Sequence, residues 1–214
     1  MTNKEIAHYI DHTLLKPVST WDQIVELCDE AIEFETASVC IPPCYIARVK
    51  SKYGAKLPVA TVIGFPLGYM AKAAKLEECR VALADGADEI DMVINIADVK
   101  NGDYKKVEEE IREMKEICGD HILKVIVENC YLTEDEKVAM CKAVTAAGAD
   151  YIKTSTGFGS GGATLEDVKL MKANIGPDVK IKAAGGVRTK EDMEAYIEAG
   201  VSRIGCSSTK VLFE

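Results

Sequence analysis

The sequence has no long apolar run and no excess of positive charge, and each absence excludes a class of function. No stretch is long enough to cross a bilayer as a helix, and the first residues, MTNKE, lack the apolar segment of a signal peptide. We therefore expect a soluble protein with no membrane partner. Lys and Arg number 26 against 35 Asp and Glu, a formal net charge of −9, so nucleic acid is not an expected partner.

Patterns typical of metal sites and disulfide frameworks are missing as well. The eight cysteines are irregularly spaced and form no C-x-x-C motif. We expect free thiols in a reducing, cytoplasmic location, with Cys40 and Cys44 in the core rather than paired on a metal. The three histidines show no ligand spacing, so neither a metal nor another cofactor is expected.

What the sequence does contain is a regular alternation of short apolar runs and helical patterns. Eight runs are predicted as strands, near residues 9–15, 38–41, 58–66, 89–95, 122–128, 151–154, 180–184 and 202–207. The later runs are apolar throughout, as parallel strands covered on both faces should be. The pattern predicts one domain over residues 1–214, a (β/α)8 barrel with a short N-terminal helical segment. An open doubly wound sheet is the alternative, disfavoured because no G-x-G-x-x-G follows the first strand.

An internal repeat supports the barrel. Residues 84–90 (ADGADEI) resemble residues 146–152 (AAGADYI), and residues 198–204 (EAGVSRI) are a weaker copy. Asp91, Lys153 and Gly205 each stand five residues after the glycine of a copy, which places them at similar heights on their strands. Because side chains alternate along a strand, Asp91 and Lys153 are expected to point into the barrel, near the end where barrel active sites are built.

Three charged residues, Lys153, Lys182 and Asp91, lie inside apolar strands. They need a common explanation, because a lysine is rarely buried without a partner. An amine attacks a carbonyl only when it is neutral, and the ordinary pKa of lysine is about 10.4. Burial together with a Lys182 ammonium nearby would lower the pKa of Lys153 enough for Schiff-base chemistry. Asp91 would then transfer protons, alone or through water. The alternative is a purely structural ion-pair network of the lysines with Asp91 and Glu128.

Two glycine segments indicate a phosphate site. Residues 185–188 (GGVR) precede a helix that starts near Thr189, and residues 205–208 (GCSS) end the last strand. In barrels, the loops after the seventh and eighth strands often bind phosphate through backbone N–H groups and a helix N-terminus. The sequence therefore predicts a phosphorylated small-molecule substrate.

These segments, and others along nearly the whole chain, resemble the deoxyribose-phosphate aldolases, a class I aldolase family. The matching segments are residues 11–17 (DHTLLKP), 38–43 (SVCIPP), 86–93 (GADEIDMV), 124–128 (KVIVE), 151–158 (YIKTSTGF), 181–188 (IKAAGGVR) and 205–208 (GCSS). The segments that carry Lys153 and Lys182 are together highly specific.

The resemblance implies a (β/α)8 barrel that reversibly cleaves 2-deoxy-D-ribose 5-phosphate to acetaldehyde and D-glyceraldehyde 3-phosphate. It places Lys153 at the Schiff-base position and Asp91 and Lys182 at proton-transfer positions. It also implies a thiol at Cys40 that unsaturated aldehydes attack and that has no catalytic role, and a possible homodimer. The substrate-binding residues that it implies are Asp11, Thr13, Cys40, Thr156, Gly157, Gly185, Gly186, Val187, Arg188, Gly205, Ser207 and Ser208.

The sequence departs from the family pattern at two places. Phe158 stands where some members have a lysine, so the phosphate should depend more on Arg188 and backbone donors. Some members end in a tail whose last tyrosine assists proton transfer, whereas this sequence ends VLFE. We therefore expect the alpha proton to move through Asp91, Lys182 and water.

Three other functions remain open from the sequence. A different Schiff-base aldolase or a transaldolase would use the same lysines with another donor. A non-enzymatic barrel that binds phosphosugars would need the charged residues only for structure. An isomerase with Asp91 as its base would leave the two lysines unexplained.

Overall fold

The computed structural model describes residues 1–213 and contains a closed barrel of eight parallel strands in sequence order. The last strand pairs with the first, through Asp11 and Gly205 among others, so the sheet has no open edge. This confirms the (β/α)8 prediction and excludes the open sheet. The strands are β1 (Ile10–Thr13), β2 (Ser38–Ile41), β3 (Val59–Ile63), β4 (Glu89–Val93), β5 (Ile122–Ile126), β6 (Tyr151–Lys153), β7 (Lys180–Ala184) and β8 (Arg203–Cys206).

Helices connect the strands and surround the barrel. Several begin at a threonine whose hydroxyl accepts from the third backbone N–H of the helix, as Thr20 does from Gln23. The helices are α1 (Asn3–Ala7), α2 (Trp21–Phe34), α3 (Ile46–Tyr53), α4 (Lys72–Ala84), α5 (Ile96–Lys100), α6 (Tyr104–Cys118), α7 (Glu134–Ala146), α8 (Leu165–Asn174) and α9 (Lys190–Glu198). Within residues 1–213, β8 is followed only by a short 3₁₀ helix, Thr209–Leu212.

The main apolar core lies between the barrel and the helices. Ile90, Met92 and Ile152 are fully buried in it, as the predicted alternation requires. A much smaller apolar cluster contains Cys40 and its neighbours on β3. Hydrophobic stabilisation therefore comes mainly from the outer layer, and much of the barrel interior is left to charged side chains.

Within residues 1–213, no helix is both long enough and apolar enough to span a membrane. All eight cysteines fall in this range and are free thiols. Cys40 is buried as expected, but Cys44 is exposed, so the prediction that Cys44 is a core thiol is wrong. Cys44 lies in the 3₁₀ turn Pro43–Tyr45 that follows β2, where no residue is buried.

Candidate active site

Asp91 is the centre of the site, and it joins the two lysines that the sequence singled out. Its Oδ2 atom accepts from Lys153 Nζ at 2.8 Å and from Lys182 Nζ at 2.7 Å. Lys153 and Lys182 are register partners on the neighbouring strands β6 and β7. Their side chains therefore leave the sheet side by side and converge on one carboxylate, in agreement with the predicted facing.

The network contains three more charged side chains than the sequence predicted. Lys124 on β5 is fully buried and donates to Asp91 Oδ1 at 2.7 Å and lies 2.5 Å from Glu89 Oε2. Arg203 on β8 contacts Asp11 Oδ1 at 2.6 Å and Glu89 Oε2 at 2.9 Å. Lys124, Glu89 and Arg203 were all missed as site residues. Their common signal is a charged residue at an inward position of an apolar strand, the same signal that indicated Asp91, Lys153 and Lys182.

The charges of this network do not balance when every lysine is protonated. Its carboxylates are Asp11, Glu89 and Asp91, and its cations are Lys124, Lys153, Lys182 and Arg203. Three anions thus face four cations in a buried space where unbalanced charge is costly. Loss of one proton from one lysine makes the network neutral.

The pKa directions indicate which lysine loses the proton. Burial lowers the pKa of Lys153, and the Lys182 ammonium lowers it further, against the opposing attraction of Asp91. Burial alone would also lower the pKa of Lys182, but Asp11 and Asp91 outweigh it and hold that pKa above its ordinary value. The two pKa values are therefore shifted in opposite directions, and Lys153 gives up a proton more readily than Lys182.

The two aspartates of the network, by contrast, have lowered pKa values and stay ionised. Burial would raise the pKa of Asp91, but Lys124, Lys153 and Lys182 together hold it well below its ordinary value. The same balance of burial against Lys124, Lys182 and Arg203 lowers the pKa of Asp11. In the resting site, Asp91 is thus an acceptor that orients three lysines rather than a group that stores a proton.

A cavity of about 490 Å³ opens above this network at the carboxyl ends of the strands. Among Lys153, Lys182 and Asp91, only Lys153 lines it. The predicted substrate-binding residues that also line it are Thr13, Thr156, Gly157, Gly185, Gly186, Val187, Arg188, Gly205 and Ser207. Of these three residues, Lys153 is therefore the one that a molecule in the cavity would meet.

Three predicted substrate-binding residues do not line this cavity. Asp11 is fully buried and bonded to Lys182, Ser38 and Arg203, so it belongs to the ionic network. Cys40 is fully buried in the barrel, where burial raises the pKa of its thiol. Ser208 lines an adjoining cavity of about 630 Å³, which Ser207 also borders.

Two loops at the mouth of this cavity need glycine because of their backbone conformation. Gly157 and Gly185 both have positive φ, 85° and 83°, a region that other residues rarely adopt.

Glu128 does not join the lysine network, contrary to the alternative of a purely structural ion-pair network raised from the sequence. Its Oε1 instead accepts from the Thr156 amide at 3.1 Å and its Oε2 from the Thr156 hydroxyl, which fixes the loop before Gly157.

Replacement of Lys124 by methionine should strongly destabilise the protein. Methionine keeps much of the side-chain volume but removes the buried cation that joins Asp91 Oδ1 to Glu89 Oε2, and breaking such a buried pair typically costs about 3–5 kcal/mol. The free energy of unfolding from urea denaturation measures the loss. Lys169→Met, at an exposed position of α8, is the matched control and should change it by less than about 0.5 kcal/mol. A small change in Lys124→Met would contradict the ionic network.

Comparison with known proteins agrees with this geometry. Residues 6–208 match the DeoC/LacD family of aldolases. The chain belongs to this family. A deoxyribose-phosphate aldolase of Clostridium botulinum (strain Eklund 17B / Type B) is 65% identical over 207 residues, which cover 97% of this chain and 94% of the relative.

Solved structures show the same fold. A crystal structure from Coccidioides immitis superimposes with a TM-score of 0.95 and 39% identity, covering 100% of this chain and 86% of that one. A tetrameric deoxyribose phosphate aldolase of Aeropyrum pernix has a TM-score of 0.89 and 29% identity, covering 99% and 91%. Membership of the aldolase family confirms the resemblance seen in the sequence and removes the binding-only and isomerase alternatives.

Proposed function

We propose that the protein reversibly cleaves 2-deoxy-D-ribose 5-phosphate to acetaldehyde and D-glyceraldehyde 3-phosphate through a Schiff base on Lys153. The observation that carries this proposal is the position and charge of Lys153. It is the network lysine that borders the cavity, and its pKa is lowered by burial and by Lys182. A neutral amine facing a cavity is the nucleophile that class I aldolase chemistry requires.

The reaction follows from this placement. The Lys153 amine attacks the aldehyde carbon of the open-chain sugar, and loss of water gives an iminium ion. The iminium withdraws electrons from the C2–C3 bond, which breaks as the C3 hydroxyl gives up its proton. Glyceraldehyde 3-phosphate leaves, and the enamine left on Lys153 takes a proton at C2. Hydrolysis of the resulting iminium releases acetaldehyde and restores the amine.

Proton transfer falls to Lys182 and Asp91, with water as the carrier. Lys182 keeps its proton because Asp11 and Asp91 raise its pKa, so it is suited to act as the acid. Asp91 holds the Lys153 and Lys182 side chains on one oxygen and can pass a proton between them. Its lowered pKa makes it a short-lived proton carrier rather than a resting base.

The phosphate would bind at the mouth, beside the loops after β7 and β8. Gly186 and Arg188 are exposed there, and Ser207 borders the same cavity. Helix α9 starts just beyond, capped by Thr189, so its N-terminus adds a favourable dipole. Phe158 is half-exposed and packs edge-on against Phe65 with ring centres 5.2 Å apart, so it supplies no charge to the phosphate.

Arg188→Ala should therefore weaken binding of the phosphorylated sugar selectively. We expect KM for 2-deoxyribose 5-phosphate to rise about 10-fold or more, since a hydrogen bond to a charged group contributes about 1.5–3 kcal/mol. KM for 2-deoxyribose should change little. Lys190→Ala is the control, a neighbouring cation that bonds to Asn3 instead. Equal effects of Arg188→Ala on both substrates would contradict the phosphate assignment.

A different aldolase of the same family is the remaining competitor, because another donor could use the same lysine. A donor panel separates the two. Acetaldehyde with glyceraldehyde 3-phosphate should give product, whereas dihydroxyacetone and its phosphate should not. Turnover of dihydroxyacetone or its phosphate, with none of acetaldehyde, would show that the protein is another aldolase.

We also infer a cytoplasmic location, and the family resemblance implies a possible homodimer. The location is supported by the eight free thiols, which suit a reducing compartment. Light scattering at several protein concentrations tests the oligomeric state, and a monomer at all of them would contradict the dimer.

A further inference from the structure

The segment after β8 is anchored by a hydrogen-bond chain that is buried at His12 and Thr209. His12 Nδ1 lies 2.8 Å from the Thr209 hydroxyl, and His12 Nε2 lies 2.9 Å from Glu30 Oε2. Thr209 is fully buried and His12 is 2% exposed. We call Glu30, His12 and Thr209 the histidine chain. It joins α2, β1 and the 3₁₀ helix Thr209–Leu212.

The chemistry of the three side chains decides which group donates and which accepts in each hydrogen bond of the histidine chain. A neutral imidazole with its proton on Nε2 donates to the Glu30 carboxylate and accepts from the Thr209 hydroxyl at Nδ1. Burial lowers the pKa of His12, although the attraction of Glu30 opposes this shift. The lowered pKa favours the neutral imidazole. Both ring nitrogens are then satisfied, and a directional set of bonds holds Thr209 in one position.

A second contact fixes the other end of the same loop. The Ser208 amide donates to Cys206 Sγ at 3.2 Å, and the Cys206 thiol donates to the Val187 carbonyl at 3.4 Å. This links the loop after β8 to the loop after β7. Ser207 and Ser208 are therefore held between Cys206 on one side and Thr209 on the other.

We propose that His12 is a positioning residue that, through Thr209, holds the loop of Ser207 and Ser208 so that Ser207 receives the substrate phosphate. The proposal rests on the phosphate site proposed above. A loop ordered before binding loses less conformational freedom when the phosphate arrives, so the chain favours affinity for the phosphorylated end. The side chains of Glu30, His12 and Thr209 form no hydrogen bond with the ionic network around Lys153, so the histidine chain should leave the chemical step of an unphosphorylated substrate unchanged.

Thr209→Val tests the proposal because it removes the hydroxyl with little change of shape. We expect KM for 2-deoxyribose 5-phosphate to rise about five- to tenfold, with less than a twofold change in KM and kcat for 2-deoxyribose. Thr209→Ser keeps the hydroxyl and should restore the wild-type KM. His12→Gln, which keeps a donor toward Glu30 but cannot also hold Thr209, should resemble Thr209→Val.

Hydrogen exchange of peptides covering residues 203–213 gives a second readout that does not depend on turnover. The Ser207 and Ser208 amides should exchange faster in Thr209→Val than in Thr209→Ser. An equal rise in KM for both substrates, or no change in either KM or exchange, would overturn the role of His12. If the unmodified enzyme itself shows no preference for the phosphorylated sugar, the phosphate site fails and the proposal fails with it.

Discussion

Lys153→Met should reduce kcat for cleavage of 2-deoxyribose 5-phosphate by at least about 10³-fold, because no other network lysine borders the cavity. Methionine resembles the neutral form of the lysine side chain in size and charge. The remaining network then has three cations against three carboxylates, so the variant should fold. Steady-state assay of acetaldehyde release measures the loss.

Two companion variants separate loss of the nucleophile from loss of structure. Lys153→Arg keeps a cation near Asp91 but forms no Schiff base, so it should be as inactive as Lys153→Met. Lys142→Met removes an exposed lysine on α7 and should retain full activity. Residual activity of Lys153→Arg within tenfold of wild type would contradict covalent catalysis by Lys153.

Lys182→Met should lower kcat by about 10²- to 10⁴-fold, the usual range for removal of a general acid. It should also change the pH dependence. The Lys182 ammonium helps to lower the pKa of Lys153, so its loss raises that pKa. Lys153 must be neutral to attack, so the acid limb of the kcat/KM profile should move to higher pH.

The matched control for this prediction lies on the same strand. Lys180 is exposed at the start of β7, two residues before Lys182, and Lys180→Met should leave both rate and pH profile unchanged. An acid limb of Lys182→Met that stays in place, or moves to lower pH, would show that Lys182 does not set the pKa of Lys153.

The fold and the central residues could be predicted from local sequence signals. The repeated glycine before β4 and β6 gives the strand starts, and alternation then turns Asp91 and Lys153 inward. A charged residue in an apolar strand is informative because it needs a partner inside the barrel. The loops after β7 and β8 were predictable from their glycines together with their order in the barrel.

The remaining contacts depend on closure of the barrel, which no local pattern encodes. Arg203 on β8 meets Glu89 on β4, at the opposite side of the closed sheet, and 114 residues separate them. Thr209 and His12 are 197 residues apart. Such pairs form only when strand register, tilt and closure act together, so the sequence indicates that the residues are unusual without naming their partners.

The most direct test of the proposed chemistry is the intact mass after incubation with acetaldehyde and sodium borohydride, followed by peptide mapping. Reduction of the Schiff base should leave one ethyl group on Lys153, and Lys153→Met should acquire none. An ethyl group on Lys182 instead would reverse the roles of the two lysines. Folded protein that acquires no adduct from acetaldehyde or from the sugar phosphate would contradict the Schiff-base mechanism.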